Sequence, residues 1–193
     1  SGSGGIEMVL NSEAFAAYTG YDKGGNWSAI VGEPTLMEMA VAEKGLLVID
    51  AYAYGQAGHA AREEGVNALY IAMQDIQFLA GLQMEQISSF LGPVKATVTV
   101  IDTENKQHNV VPAVCHFVID VRLNELYQPE ALLRYLRQKL KSELKARSMR
   151  LRPTAIALEH PLVRAGLALG KTCYGSPTTS DKALMPFPAL KMG

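Results

Sequence analysis

Hydrophobic and polar positions alternate, then coil, in a fixed order through the middle of the chain. Leu47, Ile49, Ala51 and Ala53 alternate with Val48, Asp50, Tyr52 and Tyr54, which predicts a half-buried strand over 45–54. Val66, Leu69, Met73, Ile76 and Ala80 then recur at three- and four-residue spacing, which predicts a helix with one apolar stripe. In "VKATVTVID" Val94, Ala96, Val98 and Val100 face one way, and the polar turn "TENKQHN" leads into a further strand. There Cys115, Phe117, Ile119, Val121 and Leu123 line one face, while His116, Asp120 and Arg122 share the other with Val114 and Val118. Pro129 suits the first turn of a second helix whose stripe is Leu133, Leu136, Leu140 and Leu144. "SMRLRPTAIAL" reads as a fourth strand, with Pro153 at an edge or bulge.

The order strand, helix, strand, strand, helix, strand predicts an α+β unit over 45–158: a four-stranded antiparallel sheet with both helices on one face, ferredoxin-like in topology. Residues 1–44 and 159–193 flank it. Ile6 to Tyr18 is weakly helical, and "TGYDKGGNW" breaks the pattern. "SAIVGEPT" is a short strand ending at Gly32-Glu33-Pro34, where Pro34 keeps Glu33 on extended or turning backbone. Met37 to Ala42 is another strand, joined to the one at Gly45 around "AEKG". Pro161–Leu169 is a short helix, followed by the loop "GSPTTSD". "SGSGG" at the start reads either as a flexible linker or as native sequence. Both ends read as cuts in a longer chain, so "SAIVGEP" is expected to leave unpaired backbone and to be disordered over 26–35.

Composition narrows the partners. The 193 residues carry a net charge of −1, with no basic footprint for nucleic acid or a membrane surface. No run approaches the roughly 20 apolar residues of a membrane span, and no leader pattern marks secretion. Cys115 and Cys173 lack metal-type spacing, and Cys115 reads as a buried thiol. A cytoplasmic location is the expectation. No serine sits in a nucleophile-elbow string, neither cysteine has a matched base, and phosphate-binding loops are absent.

Several residues carry two readings. His59, in "GQAGHAA", lies past a strand end between small residues that leave the ring accessible; it is either a reacting group or an exposed loop histidine. Arg122 suits bidentate recognition of a carboxylate, or a sheet-face ion pair with Asp120 or Asp50. Asn109 is a site residue or a turn residue. "SPTTSD" offers Thr178, Thr179 and Ser180 hydroxyls, with Asp181 as cap of the helix-like "DKALM". Glu63-Glu64 looks like a catalytic pair, but reads as the solvated first turn of a helix.

The strings "IVGEPT", "AVAEKGLLVIDAYAYGQAGHAA", "GVNAL", "QHNVVPAVCHFVIDVR" and "PTTSDKALMP" occur in this order. Together they resemble the two-metal aminoacylase and exopeptidase family, which includes acetylornithine deacetylase, succinyl-diaminopimelate desuccinylase and G-type carboxypeptidases. The resemblance covers nearly the whole chain from Ile6, and is nearest to acetylornithine deacetylase. It implies a catalytic domain with two zinc ions, replaceable by other divalent metals such as cobalt. That domain is interrupted by a lid and dimerisation domain, here 45–158. It further implies a homodimer that hydrolyses a small N-acyl amino acid, as in arginine biosynthesis. A metal-bound water attacks the amide and a glutamate shuttles its proton.

The family's ligands are a histidine-x-aspartate pair, a bridging aspartate, a Glu-Glu pair, the glutamate of "GEP" and a late histidine. Only Glu33 matches one of them here. The resemblance assigns His59 as an oxyanion donor reaching the partner's site, Arg122 to the substrate carboxylate, and Asn109 with Thr178, Thr179 and Ser180 to the substrate. Pro177 departs from the family's usual glycine before Thr178 and weakens backbone donation there. The chain by itself is therefore expected to be inactive. The competing expectation is an association module that acts only as a homodimer scaffold.

Overall fold

Two sheets meet at a junction one residue long. Residues 4–23, 25–62 and 64–193 are described by a computed structural model. The start of "SGSGG" and Glu63 of the Glu63-Glu64 pair lie outside the described residues. In chain order the helices are α1 (Gly5–Leu10), α2 (Glu13–Thr19), α3 (Ala68–Ala80), α4 (Pro129–Lys139) and α5 (Pro161–Ala168). The strands are β1 (Ala29–Val31), β2 (Met39–Glu43), β3 (Gly45–Tyr54), β4 (Gly58–His59), β5 (Lys95–Thr103) and β6 (Val110–Val111). They continue as β7 (Val114–Leu123), β8 (Glu143–Ala146), β9 (Thr154–Ala155), β10 (Cys173–Ser176) and β11 (Ala189–Lys191).

The alternation over 45–54 does what its period requires. β3 is the centre of an antiparallel sheet of order β5-β7-β3-β8. Leu47, Ile49, Ala51 and Ala53 pack with Cys115, Phe117, Ile119, Val121 and Leu123 under α3 and α4, all buried. This is the α+β arrangement read from the sequence, with both helices on one face. A second sheet, β1-β11-β2-β10 with β9 also on β2, lies beyond the junction at Lys44. There α5 covers Met39, Val41 and Leu190 through Val163.

Four local expectations are corrected. The fourth strand of the first sheet is β8, not "SMRLRPTAIAL"; Thr154 and Ala155 pair instead with Glu43 and Ala42 in the second sheet. The α4 stripe ends early. Leu133 and Leu136 are buried in the helix, but Leu140 caps it with an extended backbone and Leu144 belongs to β8. On α3 the buried face is Ala68, Ala72, Asp75 and Leu79, while Val66, Met73 and Ala80 are exposed. Small alanines let this helix sit close to the sheet, with Leu69, Ile76 and Phe78 packed at its flanks and Tyr70 and Met73 turned outward. In β5 the register shifts between Val98 and Val100, a bulge that sets Val100 opposite Val118 on the other face and leaves it exposed. Outside this sheet, "SAIVGEP" contributes a paired strand in place of the expected unpaired backbone: β1 pairs in parallel with β11, Ala29 to Ala189 through Val31 to Lys191.

A single carboxylate explains where α4 stops. Asp75, buried on α3, accepts from Lys141 N at 3.0 Å, from Ser142 N at 2.8 Å and from Ser142 Oγ at 2.6 Å. Those N–H groups are held by a residue 66 and 67 positions away and no longer continue the helix. The open face of the sheet has its own charge cluster. Asp50 Oδ1 lies 2.8 Å from His116 Nε2, and both Asp50 oxygens accept from Arg147 at 2.8 Å. The Arg147 guanidinium, and after it His116, hold the Asp50 carboxyl down to about 2 against the opposing effect of burial.

Two outcomes follow. Asp75→Ala strands the buried N–H and hydroxyl of Ser142 and the part-buried N–H of Lys141, and is expected to cost about 2–4 kcal/mol, read as a lower urea midpoint. Asp50 has a depressed carboxyl, so its stabilisation is complete above the unfolded-state value and is lost as pH falls towards about 2. Asp50→Asn is expected to lose about 1 kcal/mol at neutral pH, an amount reduced because Arg147 is half exposed. The difference from the parent chain should vanish in acid denaturation near pH 2.

Candidate functional site

Polar residues from both sheets converge beside the junction. β2 is buried along its whole length and ends in Glu43, which is 1% exposed. A buried carboxylate must be hydrogen-bonded or neutralised, and Glu43 is both. It accepts from Ser180 N at 3.1 Å and from Ser180 Oγ at 2.8 Å, with Lys191 Nζ at 3.4 Å. Lys191 in turn donates to Ser176 Oγ at 3.2 Å and Thr178 Oγ1 at 3.4 Å. Thr179 Oγ1 donates to Lys44 O at 2.7 Å. The loop "GSPTTSD" is thereby clamped from within. Ser180, not Asp181, caps the short helix Asp181–Leu184, its hydroxyl accepting from Lys182 N.

Against this loop stands the end of β7. Arg122, Thr178, Thr179, Ser180 and Asp181 line one recess of about 200 Å³ with Leu46 and Leu151. Arg122 makes a bidentate ion pair on its own strand, Nε to Asp120 Oδ1 at 2.7 Å and Nη2 to Asp120 Oδ2 at 3.0 Å. The sheet-face pair is thus formed with Asp120, while Asp50 is taken by Arg147. Arg122 Nη1 has no protein partner among the described residues, so one edge of the guanidinium remains for a ligand in the recess. A guanidinium edge opposite Thr178, the one hydroxyl of the three not already donating to Glu43 or Lys44 O, suits a carboxylate.

His59 and Asn109 lie together elsewhere, on a ribbon formed by β4 and β6. His59 is opposite Val110, and Asn109 O accepts from Ala60 N at 2.9 Å. Gly58 and Gly65 meet so closely that a side chain at 58 would sit 2.3 Å from Glu64 O, which explains the small residues around the histidine. His59 is exposed, and its Nδ1 accepts from Ala61 N at 3.2 Å. In the neutral ring this leaves the proton on Nε2, a donor directed away from its own backbone.

Glu33 follows β1 on a turn wrapped around Gly193. Thr35 N and Met37 N donate to Gly193 O at 2.6 and 3.2 Å. Leu36 and Met37 both have positive φ, 55° and 62°, a strained left-handed pair that Gly193 holds in place. The recess beside Glu33 is otherwise apolar, lined by Pro34, Leu36 and Met37. Among the described residues no group of three or more His, Cys, Asp or Glu is placed to hold a metal ion. The residues present do not fit a two-zinc centre.

Sequence reasoning missed Glu43, Lys182, Lys191 and Ser176. Their signal was a charge inside an apolar run, Glu43 in "MAVAEKG" and Lys191 in "PALKMG", where the strand period gives no solvent-facing side.

A family model described as a peptidase dimerisation domain, of M20 type, matches residues 41–148. Acetylornithine deacetylase from Myxococcus xanthus is 30% identical over 200 residues, covering 97% of this chain and 49% of that protein. Succinyl-diaminopimelate desuccinylase from Dinoroseobacter shibae is 30% identical over 114 residues, 56% of this chain and 30% of that protein. The chain spans half or less of the curated relatives it matches. Among solved structures, aminopeptidase PepT from Bacillus cereus shares the fold with a TM-score of 0.68 at 19% identity, over 97% of this chain and 53% of that one. A hydantoinase/carbamoylase-family amidase from Burkholderia multivorans does so at 0.56 and 17%, over 86% and 46%. A matched region covering more than half of the residues leads to one conclusion: the chain belongs to the peptidase dimerisation-domain family of M20 type.

Proposed function

We propose that the chain is the lid and dimerisation segment, with adjoining strips of catalytic domain, of a zinc-dependent amidohydrolase acting on N-acyl amino acids. The observation that carries this reading is the recess where Arg122 of one sheet meets Thr178, Thr179 and Ser180 of the other. A substrate carboxylate there takes its charge partner from Arg122 and a hydrogen bond from Thr178 Oγ1, while Thr179 and Ser180, whose hydroxyls already donate to Lys44 O and Glu43, shape the recess, with Asn109 added from the ribbon. His59 offers Nε2–H to an oxyanion, a contact formed only as the amide is attacked. Acetylornithine is the favoured substrate, because that relative aligns over the whole chain; a succinyl-diaminopimelate or dipeptide substrate is the alternative. On this proposal the zinc pair, or cobalt in its place, belongs to the whole enzyme. Glu33 is the one ligand contributed here, the chain by itself is inert, and the enzyme is cytoplasmic. The division at 44 and 158 follows the lid reading, although the pairing of Thr154 with Glu43 favours an earlier second boundary.

The scaffold reading describes the same segment and is supported by surface left over after folding. Tyr70 and Met73 on the outer face of α3 are 64% and 54% exposed, beside a groove of about 540 Å³. β5 is an edge strand with Val100 half exposed. Exposed apolar helix and unpaired edge together suit a two-fold homodimer.

Sedimentation velocity is expected to show a dimer, and Met73→Asp to shift it to monomer; a strictly monomeric, folded parent chain sinks the scaffold part. Calorimetric titration with zinc is expected to return no tight pair of sites on this chain. Two tight sites with hydrolysis of acetylornithine would overturn its inertness. In an active enzyme carrying this segment, His59→Ala should lower kcat by about 10²–10³ with KM little changed, whereas Arg122→Ala should act mainly through KM.

A further inference from the structure

The groove between β9 and the segment leading into β11 has a volume of about 380 Å³. Its lining side chains are mostly apolar, Pro153, Met185, Phe187 and Pro188 among them, with two polar side chains, Lys182 and Thr154, while backbone polar atoms make up much of the exposed surface. Lys182 is 2% exposed, and its ammonium donates to a single protein atom, Ala40 O at 3.1 Å. An ammonium has three N–H donors, so two are unspent. Thr154 Oγ1 is buried and has no hydrogen-bond partner among the described residues. Buried polar groups left in this state are costly, and each asks for a partner.

That partner is not Glu43. Its carboxylate is already held by Ser180 and Lys191, so two buried ammonium groups face one buried carboxylate. Burial draws the Lys182 amine down to about 8, with Glu43 opposing and Lys191 assisting, so near neutrality the site still carries its positive charge. An excess buried cation and an orphan hydroxyl beside the apolar side chains of Met185 and Phe187 describe an anion with a short hydrocarbon end. A carboxylate needs few donors on its charged edge. A tetrahedral oxyanion needs more side-chain donors than Lys182 and Thr154 supply, and it gains nothing from Met185 and Phe187.

We propose that this groove is a binding site for a small carboxylate with a short apolar tail, its oxygens accepting from Lys182 Nζ and Thr154 Oγ1 and its tail against Met185 and Phe187. The groove shares no lining residue with the Arg122 recess, and the proposal does not depend on the reading of that recess.

The test titrates the full chain at neutral pH and constant ionic strength with sodium propionate, sodium acetate and inorganic phosphate in parallel. Lys182 ε-methylene and Thr154 methyl signals are followed by NMR, and Tm is measured alongside. Saturable shifts at both residues are expected with propionate, with weaker binding of acetate, no saturation by phosphate, and a Tm that rises with propionate. Thr154→Val keeps the side-chain shape and should weaken propionate binding about fivefold, the equivalent of one lost hydrogen bond. Lys182→Met should abolish it; if that variant fails to fold, Thr154→Val decides alone. Absence of saturation by propionate up to about 100 mM, a concentration equivalent to little more than 1 kcal/mol of standard binding energy, would overturn the proposal. So would phosphate binding as tightly as propionate, or a Thr154→Val chain that binds like the parent.

Discussion

Glu43 is a carboxylate withdrawn from water at the last position of β2, and much of the molecule is arranged around that fact. Taking an ion out of solvent costs several kcal/mol even after relaxation. Here the cost is offset by two hydrogen bonds from Ser180 and by the Lys191 ammonium. Because Lys191 also bonds Ser176 and Thr178, the carboxylate organises both ends of a loop that would otherwise be free to move. A surface pair would have no such reach, since solvent would screen it and the side chains would wander. Burial makes this one directional.

The next two residues turn that anchor into a relation between two sheets. Lys44 N donates to Ser176 O at 3.0 Å, and Leu46 N donates to Leu151 O at 2.9 Å. Both crossings between the sheets therefore run side by side. Gly45 allows it: a Cβ there would stand 2.5 Å from Pro153 N and 2.9 Å from Leu151 O, closer than real atoms approach. Outside the crossings, Arg152 reaches Gln128 Oε1 at 2.7 Å and the Glu130 carboxylate, and Arg150 reaches Glu7. With the sheets held in this relation, Arg122 at the end of β7 comes to face hydroxyls that lie more than 50 residues further along the chain.

The first sheet uses its two faces differently. One is closed by α3 and α4 over a continuous apolar core. The other carries Asp50, Asp120, Arg122 and Arg147, whose charges are mutually paired, with His116 hydrogen-bonded to Asp50, and they are therefore tolerated at a half-exposed surface. Apolar side chains also stay exposed on the outer side of α3, at Tyr70 and Met73, and on β5, at Val100 and Ile101. A family defined by a dimerisation domain has a use for such surface, because helix faces and strand edges left over after folding are where a second copy gains most.

The period of the sequence determined most of this sheet. Leu47 to Ala53 and Cys115 to Leu123 could take no other face, because a slip of one residue would have moved every large side chain into water. Pro129 marked the start of α4, and the strings around His59 and Thr178 carried the family. Tertiary structure alone decided where α4 ends, which sheet receives Thr154, and that Ala68 and Ala72, rather than Met73, lie against the core. It also decided that Glu43, Lys182 and Lys191 become buried neighbours. The physical reason is shared: each outcome depends on partners far away in the chain, Asp75 with Ser142 or Glu43 with Ser180, and local spacing holds no information about a hydrogen bond closed over 67 or 137 residues.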